Sequence, residues 1–251
     1  MINAPIRWAV TLAGLLLIWQ GIVVFSAVPV FILPGPIQVL ETLINQFGRI
    51  LPHAGVTAAE ILLGLMLGTA LGALSAISFV AAPPVRRWIM PVLVVSQALP
   101  VFALAPLLTL WLGYGMLSKI AMATLIIYFP VTAAFYDGLR RIDPGWIDLA
   151  RVMGGGRATV LLLIRIPAAL PAFGSGLRVA TAVAPIGAVV GEWVGASSGL
   201  GYLMLHANGR MQTDLMFAAL AVLAAIALIL YFAVDRLVRR LTPWQAESGY
   251  A

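Results

Sequence analysis

Gly195-Ala196-Ser197-Ser198-Gly199 fits G-x-S-x-G, the pattern that places a nucleophilic serine on a sharp turn. Such a serine needs a histidine base held by a carboxylate, and the chain has two histidines, His53 and His206. The pattern also needs a strand before it and a helix after it, whereas a long apolar run precedes Gly195. A flexible glycine-serine turn accounts for the same residues, with an intramembrane serine protease using Gly195–Gly199 as the alternative. No G-x-x-x-x-G-K-[ST] occurs, and Gly154-Gly155-Gly156-Arg157 lacks the lysine and hydroxyl of a phosphate cradle, so the chain is not expected to hydrolyse ATP. No His/Asp/Glu group has metal-ligand spacing, and there is no cysteine for disulfides or thiolate sites. Catalytic residues and a metal are therefore not expected.

The composition says what elements hold these residues. Of 251 residues, 62% are hydrophobic and only 10% charged, with a mean hydropathy of +1.04. That leaves too little polar surface to coat a water-soluble globule, and apolar runs of about 20 residues recur, the length a bilayer core of about 30 Å requires. The expected fold is an all-α membrane protein with six transmembrane helices in one domain, residues 1–251. The spans are placed at about 8–26, 58–80, 88–111, 118–135, 173–194 and 215–237, with a long connection at 137–172. The apolar run of the first is long for a signal peptide, and no clear cleavage site lies near Ala27.

Charge orients the spans. With the amino terminus cytoplasmic, inner segments hold twelve cations, Arg7, Arg86, Arg87, Arg140, Arg141, Arg151, Arg157, Arg165, Arg178, Arg236, Arg239 and Arg240. Outer segments hold three, Arg49, Lys119 and Arg210. That excess fits both termini in the cytoplasm of a multi-pass protein of the cell (inner) membrane, and it explains the net charge of +6 without nucleic acid. The carboxyls are few and scattered, which argues against a proton relay; an ion-coupled secondary carrier remains a second alternative.

Local features refine the spans. Leu33-Pro34-Gly35-Pro36 reads as a turn, followed by an amphipathic helix over Ile37–Leu51 that lies in the interface or covers the bundle. Thr57-Ala58-Ala59-Glu60 matches a capping box, with Glu60 satisfying helix amides. Gly64, Gly68 and Gly72 put a small-residue face on the second span, for close packing within the chain or a dimer seam. Pro91, Pro100 and Pro106 are expected to bend the third span, and Pro185 the fifth; bent helices of this kind can line a translocation path. Glu192 is an ionisable residue about 28 Å along the fifth helix from Phe173, near the outer surface. Pro100, Pro106, Pro185 and Glu192 are the pathway candidates.

The connection between the fourth and fifth spans has too many apolar residues to be disordered and must fold and dock. Asp143-Pro144 supplies an N-cap and a first-turn proline for a short helix ending at Gly154-Gly155-Gly156, and a second apolar helix is expected to run to Pro167. Asp148-Leu149-Ala150, then Gly154 after three residues, Ile164 after nine more, and Ile166-Pro167 keep the spacing of a known motif. The segment resembles the EAA loop of ABC importer permeases, with Asp for Glu, Leu for the first Ala, and Ile for Leu. Gly191–Leu203 is similar to the corresponding stretch of permeases for alkanesulfonates, taurine, nitrate and pyrimidine thiamine precursors.

The resemblance implies a type I importer permease whose loop carries a coupling helix that fits a groove on a separate ATPase subunit. Asp148, Leu149, Ala150, Gly154, Ile164 and Pro167 would be its coupling residues, with Asp148 a polar contact and Gly154 the elbow. The implied partners are ABC ATPase subunits, which bind the ATP and Mg this chain does not hold, a second permease copy in a homodimer, and an extracytoplasmic solute-binding protein. The implied cargo is a small organic solute, first a pyrimidine thiamine precursor, then a sulfonate, taurine or nitrate.

Overall fold

The computed structural model describes residues 4–26 and 28–245. Ala27 and both chain ends lie outside them. Over the described residues every regular element is helical: α1 (Ala4–Ser26), α2 (Pro36–Asn45), α3 (Phe47–Ala81), α4 (Pro83–Ala98), α5 (Val101–Leu112), α6 (Met116–Arg140), α7 (Pro144–Val152), α8 (Arg157–Thr159), a π-helical turn Val160–Arg165, α9 (Ile166–Gly195), α10 (Leu200–Gly209) and α11 (Thr213–Leu241). Among the described residues four helices are long and apolar enough to cross a bilayer: Phe47–Ala81, Met116–Arg140, Arg157–Gly195 and Thr213–Leu241. The pair Pro83–Ser96 and Val101–Leu112, bent by 107°, makes a fifth if it is one span, and Val10–Ser26 is a shorter apolar helix. Large apolar side chains such as Leu15, Leu74, Leu110 and Ile229 are exposed on them, as a lipid-facing surface demands.

The chain divides into two compact units, one up to Val56 with Ser197–Ala225, the other Thr57–Ala196 with residues from Ile226 on. In the first, Thr42 Oγ1 donates to Asp214 Oδ2 (2.8 Å), and the Trp19 and Phe217 rings lie 5.7 Å apart. Asp214 also sits in the first turn of α11, where the helix dipole favours a carboxylate.

The second unit is built around α6, which is gripped by glycines on two sides. A Cβ on Gly64, Gly68 or Gly72 of α3 would come within 2.4, 2.7 or 3.0 Å of Ala123, Ile127 or Val131. The small-residue face of the second span thus packs inside the chain, and the constant offset means that α3 and α6 run parallel. From the other side Gly187 and Gly191 of α9 lie on Ala123 and Lys119, and Gly176 on Ala134, so α9 runs antiparallel to α6. Without a hydrophobic driving force between helices in lipid, close backbone approach supplies the dispersion contacts that hold them. Phe79, Leu93, Phe135, Tyr136, Leu139 and Ala169 close the core at one end of this bundle.

Several expectations are corrected. The amphipathic helix over Ile37–Leu51 stops at Asn45, and Phe47–Leu51 opens α3, because the Gln46 carbonyl already accepts the Ile50 amide (3.0 Å). Thr57 and Glu60 therefore lie mid-helix, where no orphan amides exist to cap. Pro91 and Pro106 sit inside α4 and α5, and the third span breaks only at Leu99-Pro100. Pro167 does not end the helix after the elbow. The wider π turn just before it relieves the clash of a proline ring with the preceding turn, and the helix continues to Gly195. Asp137–Arg140 belong to α6 and residues 166–172 to α9, so the connection proper is shorter than residues 137–172.

Candidate functional site

α7 is held at both ends by its own sequence. Asp143 Oδ1 accepts from the Gly145 amide (2.8 Å) at the N-cap, and Pro144 occupies the first turn. At the other end Gly154 has φ +85°, its amide donates to Arg151 O (2.9 Å), and the Gly155 amide donates to Ala150 O (2.8 Å). These two bonds make a Schellman motif, which satisfies the last carbonyls and turns the chain sharply. A Cβ on Gly155 would meet Ala150 O at 2.7 Å, so the second glycine is needed for closeness and the first for its conformation.

No residue of α7 is buried. Trp146, Leu149, Val152 and Met153 are exposed apolar side chains, Val152 to 86%. Asp148 is exposed and pairs with Arg151 at 3.3 Å, a surface contact of small energetic weight. Beside the helix lies a groove of about 960 Å³ whose lining includes Leu149, Ala150, Ile164 and Pro167 with Trp146 and Trp244. Four of the six coupling candidates therefore meet in one groove, while Asp148 and Gly154 lie outside its lining. A capped helix with an apolar exposed face beside an apolar groove has the chemistry that a protein partner could cover.

The pathway candidates do not share one surface. Pro100 is the N-cap of α5 at the break, and it and Pro106 are exposed, whereas Pro185 and Glu192 are buried in α9. Ser197 lies exposed in the turn between α9 and α10, so helices flank the G-x-S-x-G segment on both sides. His53 Nδ1 there accepts the Gly199 amide (3.0 Å), which fixes a turn whose Gly199 has φ +113°. His206 lies against Tyr202, with ring centroids 4.0 Å apart and the planes tilted by 37°.

Glu192 has company that the sequence reading missed. It is 1% exposed, Glu60 2% and Lys119 3%. Thr57 Oγ1 donates to Glu192 Oε1 (2.6 Å), and the Glu60 carboxyl lies within hydrogen-bonding reach of Glu192. Lys119 Nζ donates to the carbonyls of Tyr114, Gly115 (2.8 Å) and Gly195 (3.1 Å). Lys119 is thus a buried residue in the first turn of α6, not a cation of an outer loop. The signal was in the spacing: Glu60 continues the Gly64/Gly68/Gly72 row by one turn, and Lys119 continues the facing row Ala123/Ile127/Val131.

Residues 64–246 match the family described as binding-protein-dependent transport system inner membrane component. A probable ABC transporter permease protein of Haemophilus influenzae is 55% identical over 226 residues, 90% of this chain and 92% of that one. The riboflavin transport system permease protein of Chloroflexus aurantiacus is 37% identical, covering 95% of this chain and 90% of that one. The formylaminopyrimidine transport permease protein of Halalkalibacterium halodurans is 35% identical, covering 93% and 94%. In structure the chain is similar to the inward-facing MetNI methionine ABC transporter, with a TM-score of 0.62 at 21% identity over 80% of this chain and 99% of that one. The exposed helix, its glycine elbow and the apolar bundle are accordingly those of a transporter component rather than an enzyme: the chain belongs to the family of inner membrane components of binding-protein-dependent transport systems, as an ABC transporter permease subunit.

Proposed function

We propose that this chain is one of two identical permease subunits of an ABC importer, acting as a single domain of six spans with both termini in the cytoplasm of the inner membrane. In this reading α7 is the coupling helix. Two ATPase subunits, carrying the ATP and Mg, receive its exposed face, with Leu149, Ala150, Ile164 and Pro167 lining the docking groove, Asp148 as a polar contact and Gly154 fixing the elbow. The observation that carries the reading is the capped α7, none of whose residues is buried, with its apolar face beside that groove. Closure of the ATPases moves α7 as a rigid element, and α9, continuous with the segment after the elbow, transmits the movement to the bundle. Pro100 and Pro106 of the broken span and Pro185 of α9 border the path, and Glu192 fixes the far end of α9.

The solute is delivered by an extracytoplasmic binding protein. The scarcity of charge favours a small, weakly charged solute, and two relatives named for nitrogen heterocycles support a thiamine-precursor pyrimidine ahead of a sulfonate, taurine or nitrate. Purification of the chain in mild detergent should bring down an ATPase subunit whose hydrolysis is stimulated by the assembled permease. Combined substitution of Asp148 and Gly154 should release that subunit. A preparation without ATPase that still drives uptake from an ion gradient would overturn the reading. For the solute, formylaminopyrimidine uptake by the reconstituted importer should be competed by related pyrimidines and not by taurine.

A further inference from the structure

Glu60 of α3, Lys119 of α6 and Glu192 of α9 form a buried cluster of three ionisable groups inside membrane-spanning helices. The register of the helices brings them together. The parallel row that sets Gly64 on Ala123 sets Glu60 toward Lys119 one turn earlier, and Gly191, whose Cβ would lie 2.9 Å from Lys119 Cγ, lets the lysine stem pass across α9. The charged groups facing Glu60 are Glu192 from α9 and Lys119 from α6.

The hydrogen bonds fix the charge count. Lys119 Nζ serves three carbonyls, Tyr114, Gly115 and Gly195. An ammonium has three N–H donors and a neutral amine two, so Lys119 is charged. Were both carboxyls ionised, one negative charge would stand unbalanced in a dry, low-dielectric interior. Glu60 Oε2 is buried with no hydrogen-bond partner among the protein atoms. A carboxylate oxygen left bare is far costlier than the carbonyl oxygen of a neutral acid, and the other oxygen of such an acid carries the proton.

We propose that Glu60 and Glu192 hold one proton between them, carried on Glu60, and that the resulting neutral Glu60–Glu192–Lys119 unit pins α3, α6 and α9 into one block. This goes beyond the permease reading and does not depend on the solute. The unit needs no other ligand: Thr57 donates to Glu192, the Glu60 hydroxyl supplies a second donor, and Lys119 ties the Gly195 carbonyl at the end of α9 to the start of α6. Glu192 then acts by holding helices together, and separating them would require charging the pair.

Infrared spectroscopy of the full-length chain in lipid tests this directly. At neutral pH the wild type should show the carbonyl stretch of a protonated buried carboxyl, and Glu60→Gln should lack it while keeping the fold, since an amide reproduces the neutral acid. Thermal unfolding gives a second readout. With the proton on Glu60 the folded chain binds one more proton than the unfolded chain above about pH 5, so the wild-type midpoint should fall as pH rises from about 5 for as long as the folded pair keeps its proton, and that of Glu60→Gln should fall less over the same range. A folded wild type with no protonated-carboxyl band, or with a band that survives in Glu60→Gln, overturns the proposal. So does a Glu60→Gln midpoint that falls above about pH 5 as steeply as that of the wild type. If Glu60→Gln does not fold, the wild-type spectrum decides alone, because water or a bound cation in place of the proton gives no such band.

Discussion

At Gly154 a single residue sets the direction in which the chain leaves α7, because φ +85° is open to glycine and resisted by side chains branched at Cβ. Nothing lies within 4 Å of a Cβ built there, so a substitution acts through the backbone and not through a clash. Gly154→Val should cost about 1–3 kcal/mol locally, leave membrane insertion intact and uncouple ATP hydrolysis from uptake. Gly154→Asn, which tolerates the left-handed region, should retain most of the coupling. Hydrolysis and uptake measured side by side check both, and normal uptake in Gly154→Val would sink the elbow's role. This residue was legible because its rules are local: the Asp143-Pro144 start, the glycine stop and the motif spacing all fall within a few turns. Glu60 was misread for the opposite reason. The capping box is also a local rule, but α3 begins at Phe47, so whether Thr57 opens a helix was settled ten residues earlier. Its partners come from residues 59 and 132 positions away, beyond any window of sequence.

Helix against helix, the fold rests on glycine rows more than on bulky cores. The row at Gly64, Gly68 and Gly72 was visible at four-residue spacing, and its partner could be named only once α6 was seen against it. The second row, around Gly187 and Gly191, is broken by the buried Pro185 and by Glu192 and so hid within an ordinary apolar stretch. Gly68→Leu should force α3 off Ile127, where even a Cβ would come within 2.7 Å. We expect a loss of about 1–3 kcal/mol or more, read as lower yield of folded protein and a lower unfolding midpoint in detergent. Gly55→Ala in the same helix, with open space at its Cβ, should be neutral or stabilise by about 0.5–1 kcal/mol. Equal behaviour of the two variants would show that close approach is not what these glycines provide. The π turn before Pro167 escaped the sequence reading because a proline marks a helix end locally, whereas here the packing of the following turns on α6 keeps the helix intact.

At the scale of the molecule the strongest constraint is charge asymmetry: in the proposed orientation twelve cations fall on the inner side against three on the outer, and the burial of Lys119 takes one of those three from the surface. The helix directions within the second unit agree with alternating spans: α3 and α6 run parallel and α9 opposes them, as helices two and four must against helix five. The chain has no cysteine, so single cysteines can be read on a clean background without first removing native ones. Val152→Cys on the exposed face of α7 and Asn208→Cys at an exposed position of α10 should report opposite sides of the membrane. An impermeant maleimide added to intact cells whose outer membrane has been opened should label Asn208→Cys and spare Val152→Cys. Inverted vesicles should give the reverse, and bound ATPase should protect Val152→Cys because α7 is then covered. Labelling of both from one side would refute an odd number of crossings between them. Labelling of Val152→Cys from outside would put the coupling helix on the face where no ATP is available, and the importer reading would fall with it.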